Sequence, residues 1–182
     1  PGLEAQAYED LALPIGLGQT ISRPSVVARM LALLNAGRNA SRTTSLGRVL
    51  EVGTGCGYQA ALLSLLGTSV FSVERLRALH DAASRNLASV AVRRASLRLV
   101  LGDGRLGHPP NAPYDSIIAA AVGDTVPQAW VDQLAVGGRL VMPQRVDATT
   151  QVLVVIDRHE QGVTRVDHEA VRFVPLESGV IA

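Results

Sequence analysis

The chain has 182 residues, of which 47% are hydrophobic and 18% are charged, and its formal net charge is +1. This composition supplies enough apolar side chains for a core, so it excludes an intrinsically disordered chain. The length predicts a single domain over residues 1–182. Because the charge is close to neutral, capture of nucleic acid or of a membrane surface is not expected.

The basic and metal-binding residue types exclude several kinds of site. All 17 basic residues are Arg, and the chain contains no Lys, one Cys and four His. Without Lys there is no Schiff-base lysine and no Walker-type phosphate loop. A single Cys excludes an internal disulfide and a multi-cysteine zinc site, and we expect no metal. No apolar run reaches the roughly 18 residues of a membrane span and no secretory leader is evident, so we expect a cytoplasmic location.

The predicted elements alternate between helices and strands along most of the chain. The predicted helices are Val26–Leu34, Gly57–Leu66, Arg75–Leu87 and a short one that opens at Pro127 and ends by Gly137-Gly138, with a polar loop at Asn35–Gly47 after the first. The predicted strands are Arg48–Val52, Val70–Glu74, Leu97–Leu101, Asp115–Ala121, Arg139–Pro143, Gln151–Asp157 and Val171–Val174. Such alternation predicts an α/β fold with a mostly parallel seven-stranded sheet and helices on both faces. Since no helix separates the last two strands, we predict an antiparallel hairpin at the sheet edge.

A glycine-rich segment, Glu51–Tyr58 (EVGTGCGY), follows the first of these strands and opens the next helix. Glycines at such a turn let the backbone approach a ligand, and a helix N-terminus offers unpaired N–H groups to an anion. The third glycine, Gly57, comes one residue earlier than in the dinucleotide fingerprint G-x-G-x-x-G. The spacing therefore favours a smaller anion, such as an amino-acid carboxylate, over a pyrophosphate.

Acidic residues follow the next two predicted strands. Glu74 lies 21 residues after Gly53, where a carboxylate accepts hydrogen bonds from ribose hydroxyls, and Asp103-Gly104 follows the third strand, where an acid can meet an adenine amino group. Either acid could instead be a helix cap or a solvated charge, and a glycine turn alone could be a tight connection. Taken together, the three strand ends predict a site for a nucleoside with a carboxylate tail and no phosphate, namely S-adenosylmethionine.

Two longer segments carry a specific family resemblance. Ala7–Asp10 and Leu13–Pro24 (LPIGLGQTISRP), together with Glu51–Ala60, closely resemble the protein-L-isoaspartate O-methyltransferases. Later blocks resemble the same family, so the likeness extends from Ala7 to Leu176. The later blocks are Gly102–Gly104, Ala112–Asp115, Gly137–Val141 and Phe173–Leu176. The resemblance implies a Rossmann-like, class I S-adenosylmethionine-dependent methyltransferase fold, in which residues 1–24 cover the substrate and cofactor and residues 48–182 form the cofactor-binding sheet.

The resemblance also implies an activity and a set of site residues. The implied reaction methylates the free α-carboxylate of L-isoaspartyl residues in damaged peptides and proteins, and the ester then collapses to a succinimide, which starts repair. By this similarity Ser22 is the active-site serine. The residues that match the family's cofactor-binding positions are Ile21, Arg23, Pro24, Glu51, Gly53, Thr54, Gly55, Gly57, Glu74, Asp103, Gly104 and Gln151.

Three alternatives stay open from the sequence. Ser22 precedes Pro24 at the start of a predicted helix, so it could serve as a helix cap instead of, or as well as, an active-site residue. The protein could methylate a small molecule on the same scaffold. It could also be a non-catalytic cofactor-binding relative, because the family usually carries a longer N-terminal segment before Ala7 than this sequence shows.

Overall fold

The computed structural model describes residues 3–37, 45–90, 92 and 96–182, so most of the predicted Asn35–Gly47 loop lies outside the described residues. The helices are α1 (Pro24–Ala36), α2 (Tyr58–Leu66), α3 (Arg77–Ala88) and α4 (Gln128–Gln133). The strands are β1 (Leu13–Gly16), β2 (Gln19–Ile21), β3 (Arg48–Val52), β4 (Ser69–Glu74), β5 (Leu97–Leu101), β6 (Tyr114–Ala119), β7 (Leu134–Arg145), β8 (Gln151–His159) and β9 (Gly162–Val171).

Seven strands form one sheet in the order β5-β4-β3-β6-β7-β8-β9. The strands from β5 to β7 pair in parallel, whereas β8 is antiparallel to both β7 and β9. The predicted α/β, Rossmann-like fold is therefore confirmed, with a mostly parallel sheet and an antiparallel hairpin at one edge. In such a sheet the carboxyl ends of the parallel strands share one edge, which is where a ligand binds.

The two faces of the sheet carry separate hydrophobic cores. Successive residues of the central strands alternate between them, as for Val49 and Leu50 in β3. One core includes buried residues of α1 and α2 such as Met30 and Leu63, and the other includes Trp130 of α4. The prediction of helices on both faces is confirmed.

The last predicted strand is wrong in position. The edge strand is β9, Gly162–Val171, whereas the prediction placed a strand at Val171–Val174. Most of β9 is exposed, so its polar sequence lacks the apolar pattern that identifies a half-buried strand. The segment after Val171 is apolar because it packs on the body of the sheet, where Phe173 is buried.

The short helix α4 ends at Gln133, before Gly137-Gly138 as predicted, but the next strand begins earlier than the predicted Arg139. The two glycines therefore lie within β7. Gly137 has φ +77°, and the pairing of β6 with β7 shifts register between Tyr114 and Ser116. The glycines therefore lie at an irregularity of the strand, where glycine is common in sheets.

The sequence did not predict the hairpin formed by β1 and β2. These strands pair antiparallel around a turn in which Gly16, Leu17 and Gly18 all have positive φ. The hairpin leads through Ser22 and Arg23 directly into α1. In the part of the chain that the structure describes, no helix has the length and apolarity to cross a membrane, and no three His, Cys, Asp or Glu side chains are grouped to hold a metal ion.

Candidate active site

A cleft opens at the carboxyl ends of β3, β4 and β6. Its larger part has an empty volume of about 630 Å³, some of it open to solvent, and lies between the strand ends and residues 174–177. Its smaller part, about 330 Å³, lies between the β1–β2 hairpin and the start of α2. Ile15, Gly53 and Gly55 line both parts, so the two parts adjoin, and together they are called the cleft.

The turn between β3 and α2 brings backbone to the cleft wall. Gly53 and Gly55 line the cleft with φ of +92° and +56°, a left-handed conformation that favours glycine. Gly57 lies outside the lining and begins α2, where an added Cβ would lie 3.1 Å from Leu87. The predicted glycines thus act in two ways, since two expose backbone to the cleft and the third lets α2 pack closely against α3.

Glu74 points into the larger part of the cleft at the end of β4, and only 5% of the residue is exposed. One carboxylate oxygen accepts a hydrogen bond from the N–H of Gly55 (2.9 Å), and the other accepts one from the N–H of Leu76 (3.0 Å). These two bonds fix the orientation of the carboxylate. Each oxygen keeps a further lone pair for a ligand hydroxyl.

Glu51 is completely buried and does not line the cleft. Its carboxylate accepts hydrogen bonds from Gln59 (3.0 Å) and from Ser72 (2.5 Å), and the hydroxyls of Ser72 and Thr54 are 2.6 Å apart. Burial raises the pKa of Glu51 to about 7, against the lowering effect of these hydrogen bonds. Since Gln59 and Thr54 line the smaller part of the cleft, Glu51 supports the cleft wall from behind.

Asp103 and Gly104, the two residues predicted for the site after β5, lie in different places. Gly104 is buried and lines the larger part of the cleft, and its carbonyl accepts a hydrogen bond from the indole of Trp130 (2.8 Å). Asp103 lies outside the lining, and its two oxygens accept hydrogen bonds from the N–H groups of Arg105 (2.9 Å) and Gly179 (2.7 Å). In this structure Asp103 attaches the C-terminal residues to the end of β5.

Residues 174–177 form a wall of the larger part, which sequence reasoning did not assign to the site. Val122 donates a backbone hydrogen bond to Val174 and accepts one from Leu176, each 2.8 Å. The predicted site residue Gln151 lies outside the cleft and binds the backbone of Phe173 through both ends of its amide, at 2.7 and 3.3 Å. The family-like block Phe173–Leu176 was the available signal that this segment reaches the site.

The charge of the cleft lining is slightly negative. Arg75 and Glu177, which both line the larger part, form an ion pair at 2.9 Å, and Glu74 is the remaining charged residue of the lining. Two carboxylates and one guanidinium leave a formal charge of −1. Because its one guanidinium is already paired, the lining offers no unpaired cation to a phosphate.

Ser22 lies between the end of β2 and the start of α1 and, with Ile21, lines the smaller part of the cleft. Its hydroxyl has no protein partner among the described residues. Among the described residues, every buried side-chain oxygen or nitrogen has a hydrogen-bond partner. Since the Ser22 hydroxyl has none, it is not buried and is open to solvent in the cleft. The remaining predicted residues of this segment, Arg23 and Pro24, do not line the cleft.

The alternative that Ser22 caps α1 is wrong. The N-cap residue of α1 is Arg23, which forms no side-chain capping bond and is exposed, and Pro24 is the first helical residue. The structure therefore brings Ile21, Ser22, Gly53, Thr54, Gly55, Glu74 and Gly104 together at the cleft. It places Arg23, Pro24, Glu51, Gly57, Asp103 and Gln151 outside the lining.

Residues 1–180 match the family model described as protein-L-isoaspartate (D-aspartate) O-methyltransferase. A protein-L-isoaspartate O-methyltransferase of Leptothrix cholodnii is 63% identical over 97% of this chain and 62% of its own length. One of Methylibium petroleiphilum is 61% identical over 97% of this chain and 65% of its own length. The chain thus spans less than two thirds of the length of these relatives.

Solved structures show the same fold. A protein-L-isoaspartate O-methyltransferase superposes with a TM-score of 0.81 and 28% identity, covering 97% of this chain and 55% of its own. A Plasmodium falciparum protein of the same description, in complex with S-adenosyl-L-homocysteine, superposes with a TM-score of 0.79 and 24% identity over 93% of this chain and 81% of its own. The fold is that of the class I S-adenosylmethionine-dependent methyltransferases, and the chain belongs to the protein-L-isoaspartate (D-aspartate) O-methyltransferase family.

Proposed function

We propose that the protein transfers a methyl group from S-adenosylmethionine to the free α-carboxylate of L-isoaspartyl residues in damaged peptides and proteins. One arrangement carries this proposal. The fixed carboxylate of Glu74 and the unpartnered hydroxyl of Ser22 lie in adjoining parts of one cleft, with the glycine turn between them. A carboxylate placed for a nucleoside and a hydroxyl placed for an acceptor suit a methyl transfer to a carboxylate.

The cleft fits a phosphate-free, positively charged nucleoside. Its volume lies within the range of about 300–1,000 Å³ that is usual for small-molecule and cofactor pockets. Glu74 would hold the ribose hydroxyls, the backbone at Gly53 and Gly55 would face the methionine part, and Gly104 would lie on the adenine side. The lining charge of −1 suits a sulfonium and does not suit a nucleotide phosphate.

When bound, S-adenosylmethionine supplies an electrophilic methyl group on a positively charged sulfur. A carboxylate oxygen of the substrate forms a bond to the methyl carbon as the carbon–sulfur bond breaks, and the bonding pair remains on sulfur. The substrate carboxylate is already ionised at neutral pH, so no general base is required. The protein therefore contributes mainly alignment of the two reactants and exclusion of water.

Ser22 is the residue that we assign to the acceptor. Its hydroxyl can donate a hydrogen bond to one carboxylate oxygen and leave the other oxygen free to attack. A donor to a charged acceptor typically contributes about 1.5–3 kcal/mol. Ser22 would thereby set the direction of attack without taking part in a proton transfer.

Methylation of a matched peptide pair tests the proposed function. One peptide carries an L-isoaspartyl residue and its twin carries an ordinary aspartyl residue at the same position, and both are incubated with the chain and radiolabelled S-adenosylmethionine. We expect label only on the isoaspartyl peptide, in an alkali-labile ester. Labelling of both peptides to the same extent would contradict the proposed substrate.

The same assay separates the two other hypotheses. A chain that methylates small carboxylates but neither peptide would be a small-molecule O-methyltransferase, and one that binds S-adenosylhomocysteine without any turnover would be a cofactor-binding relative. Isoaspartyl proteins as partners and a cytoplasmic location stay predictions.

A further inference from the structure

The N-terminus of α1 is capped by a residue from outside the helix. Pro24, the first helical residue, has no N–H, and the N-cap residue Arg23 forms no side-chain bond to the helix. Asp10, fifteen residues before Ser25, accepts a hydrogen bond from the Ser25 N–H (2.9 Å) and another from the Ser25 hydroxyl (2.7 Å). The segment before the β1–β2 hairpin therefore supplies the cap that α1 itself lacks.

Asp10 also supplies the negative charge at this end of α1. No acidic residue lies in the first turn of the helix, although a carboxylate is favoured there by the helix dipole. The hydrogen bonds from Ser25 hold the pKa of Asp10 below its usual value. The carboxylate is accordingly ionised at neutral pH, and both of its oxygens are engaged by one residue of α1.

This remote cap has a consequence for Ser22. A serine hydroxyl readily accepts a hydrogen bond from a backbone N–H two or three residues later, which for Ser22 includes the N–H of Ser25. With that N–H already bound to Asp10, the Ser22 hydroxyl has no partner among the described residues and remains open to the cleft. If Asp10 were lost, the Ser25 N–H would be free to donate to the Ser22 oxygen, which would turn the serine side chain toward α1 and away from the cleft, where its O–H is needed as a donor.

We propose that Asp10 is a positioning residue for Ser22: by capping α1 at Ser25, it keeps the serine hydroxyl directed into the cleft, where it can donate to the substrate carboxylate. The inference rests on the proposed function and deepens it. Asp10 does not line the cleft, so its effect passes through Ser22.

A double-mutant cycle tests the inference. Asp10→Ala removes the cap, Asp10→Asn keeps an oxygen that can accept from the Ser25 N–H, and Ser22→Ala removes the hydroxyl. We expect Asp10→Ala to lower kcat on the isoaspartyl peptide about tenfold, while the Kd for S-adenosylhomocysteine changes less than twofold. Asp10→Asn should recover most of the loss. In the Ser22→Ala background, Asp10→Ala should have no further effect.

Asp132→Ala is the matched control. Asp132 also accepts one side-chain hydrogen bond at an exposed position of a helix, from Gln128 at 2.9 Å, but α4 leads into the amino end of β7, at the opposite edge of the sheet. Its replacement should leave kcat unchanged. Hydrogen exchange at the Ser25 amide reports the cap without any turnover, and it should become faster in Asp10→Ala but not in Asp10→Asn.

The outcomes are distinguishable. Wild-type kcat in Asp10→Ala, equal losses in Asp10→Ala and Asp10→Asn, or independent losses from Asp10→Ala and Ser22→Ala would each overturn the inference while the proposed function stands. A wild-type chain that binds S-adenosylhomocysteine but methylates no isoaspartyl peptide would overturn both.

Discussion

The two parts of the cleft are built in different ways. In the larger part, Glu74 is buried and both of its oxygens are fixed by backbone N–H groups at the ends of core strands. In the smaller part, Ser22 follows a two-stranded hairpin, and the helix next to it is capped by the exposed Asp10. The larger part, which we propose for the nucleoside, is thus held by the main sheet, whereas the smaller part, which we propose for the acceptor, depends on a few contacts from the N-terminal segment.

Two carboxylates outside the cleft lining differ in burial. Burial raises the pKa of Glu51, behind the cleft wall, while hydrogen bonds from Ser25 lower the pKa of the exposed Asp10. Ionisation of Glu51 therefore lowers the stability of the folded protein, whereas ionisation of Asp10 raises it. Substitution of Glu74 in the larger part should change cofactor binding, substitution of the buried Glu51 should change folding, and substitution of Ser22 or Asp10 should change turnover.

Glu74→Ala should produce the largest change. It removes two hydrogen-bond acceptors for a ribose and leaves the N–H groups of Gly55 and Leu76 without their partner. At about 1.5–3 kcal/mol for each hydrogen bond to a charged group, the Kd for S-adenosylhomocysteine should rise about 100-fold or more. Isothermal titration calorimetry measures this Kd. The Kd of Glu74→Gln should lie between those of the wild type and of Glu74→Ala. Unchanged affinity would remove Glu74 from the site.

Glu51→Gln should alter the pH dependence of stability. The pKa of Glu51 is about 7 in the folded protein and near 4.5 when unfolded, so the folded state holds this proton more tightly. The contribution of protonated Glu51 to the free energy of unfolding is fully present below about pH 4.5. It is lost as the pH rises through 7, by at most about 3 kcal/mol. Urea unfolding from pH 5 to 8 should show the stability of wild type falling relative to Glu51→Gln. A constant difference between the two proteins would contradict the raised pKa.

Ser22→Ala should separate turnover from cofactor binding. Loss of one hydrogen bond to the acceptor carboxylate predicts a fall in kcat of about 10- to 100-fold. The Kd for S-adenosylhomocysteine should stay within about twofold, because the hydroxyl lies in the smaller part of the cleft. Steady-state kinetics and calorimetry on the same preparation measure both quantities. An equal loss in both would refute the role that we assign to Ser22.

The Arg75–Glu177 ion pair should have the smallest effect. The Arg75 side chain is 18% exposed and the Glu177 side chain 58%, so solvent screens much of the attraction. A pair of this kind contributes up to about 1 kcal/mol, which predicts a Kd for S-adenosylhomocysteine two- to fivefold weaker in Glu177→Arg. The exchanged pair, Arg75→Glu with Glu177→Arg, should recover part of the loss. No recovery would indicate that the pair does not hold the C-terminal wall.

The contrast between the two parts also explains what the sequence could predict. β3 and β5 have the predicted bounds, and the glycine turn with Glu74 was located, because buried strands and glycine turns have strong local patterns. The β1–β2 hairpin was missed because Pro14 and two turn glycines are atypical of strands.

The remaining differences depend on contacts between distant residues. Asp103 and Gln151 hold the C-terminal segment through bonds to Gly179 and Phe173, and Asp10 caps Ser25 across fifteen positions. Such contacts depend on the three-dimensional arrangement, so the local spacing of residues in the sequence does not predict them. The burial of Glu51 behind the glycine turn likewise follows from the packing of β3 between β4 and β6.

Calorimetry on the wild-type chain tests the central claim most directly, with S-adenosylhomocysteine and ADP as the paired ligands. An acidic cleft with a carboxylate fixed for ribose hydroxyls and no free cation in its lining predicts saturable one-to-one binding of S-adenosylhomocysteine and no binding of ADP. The account would be contradicted if the folded protein did not bind S-adenosylhomocysteine, or if it bound ADP more tightly.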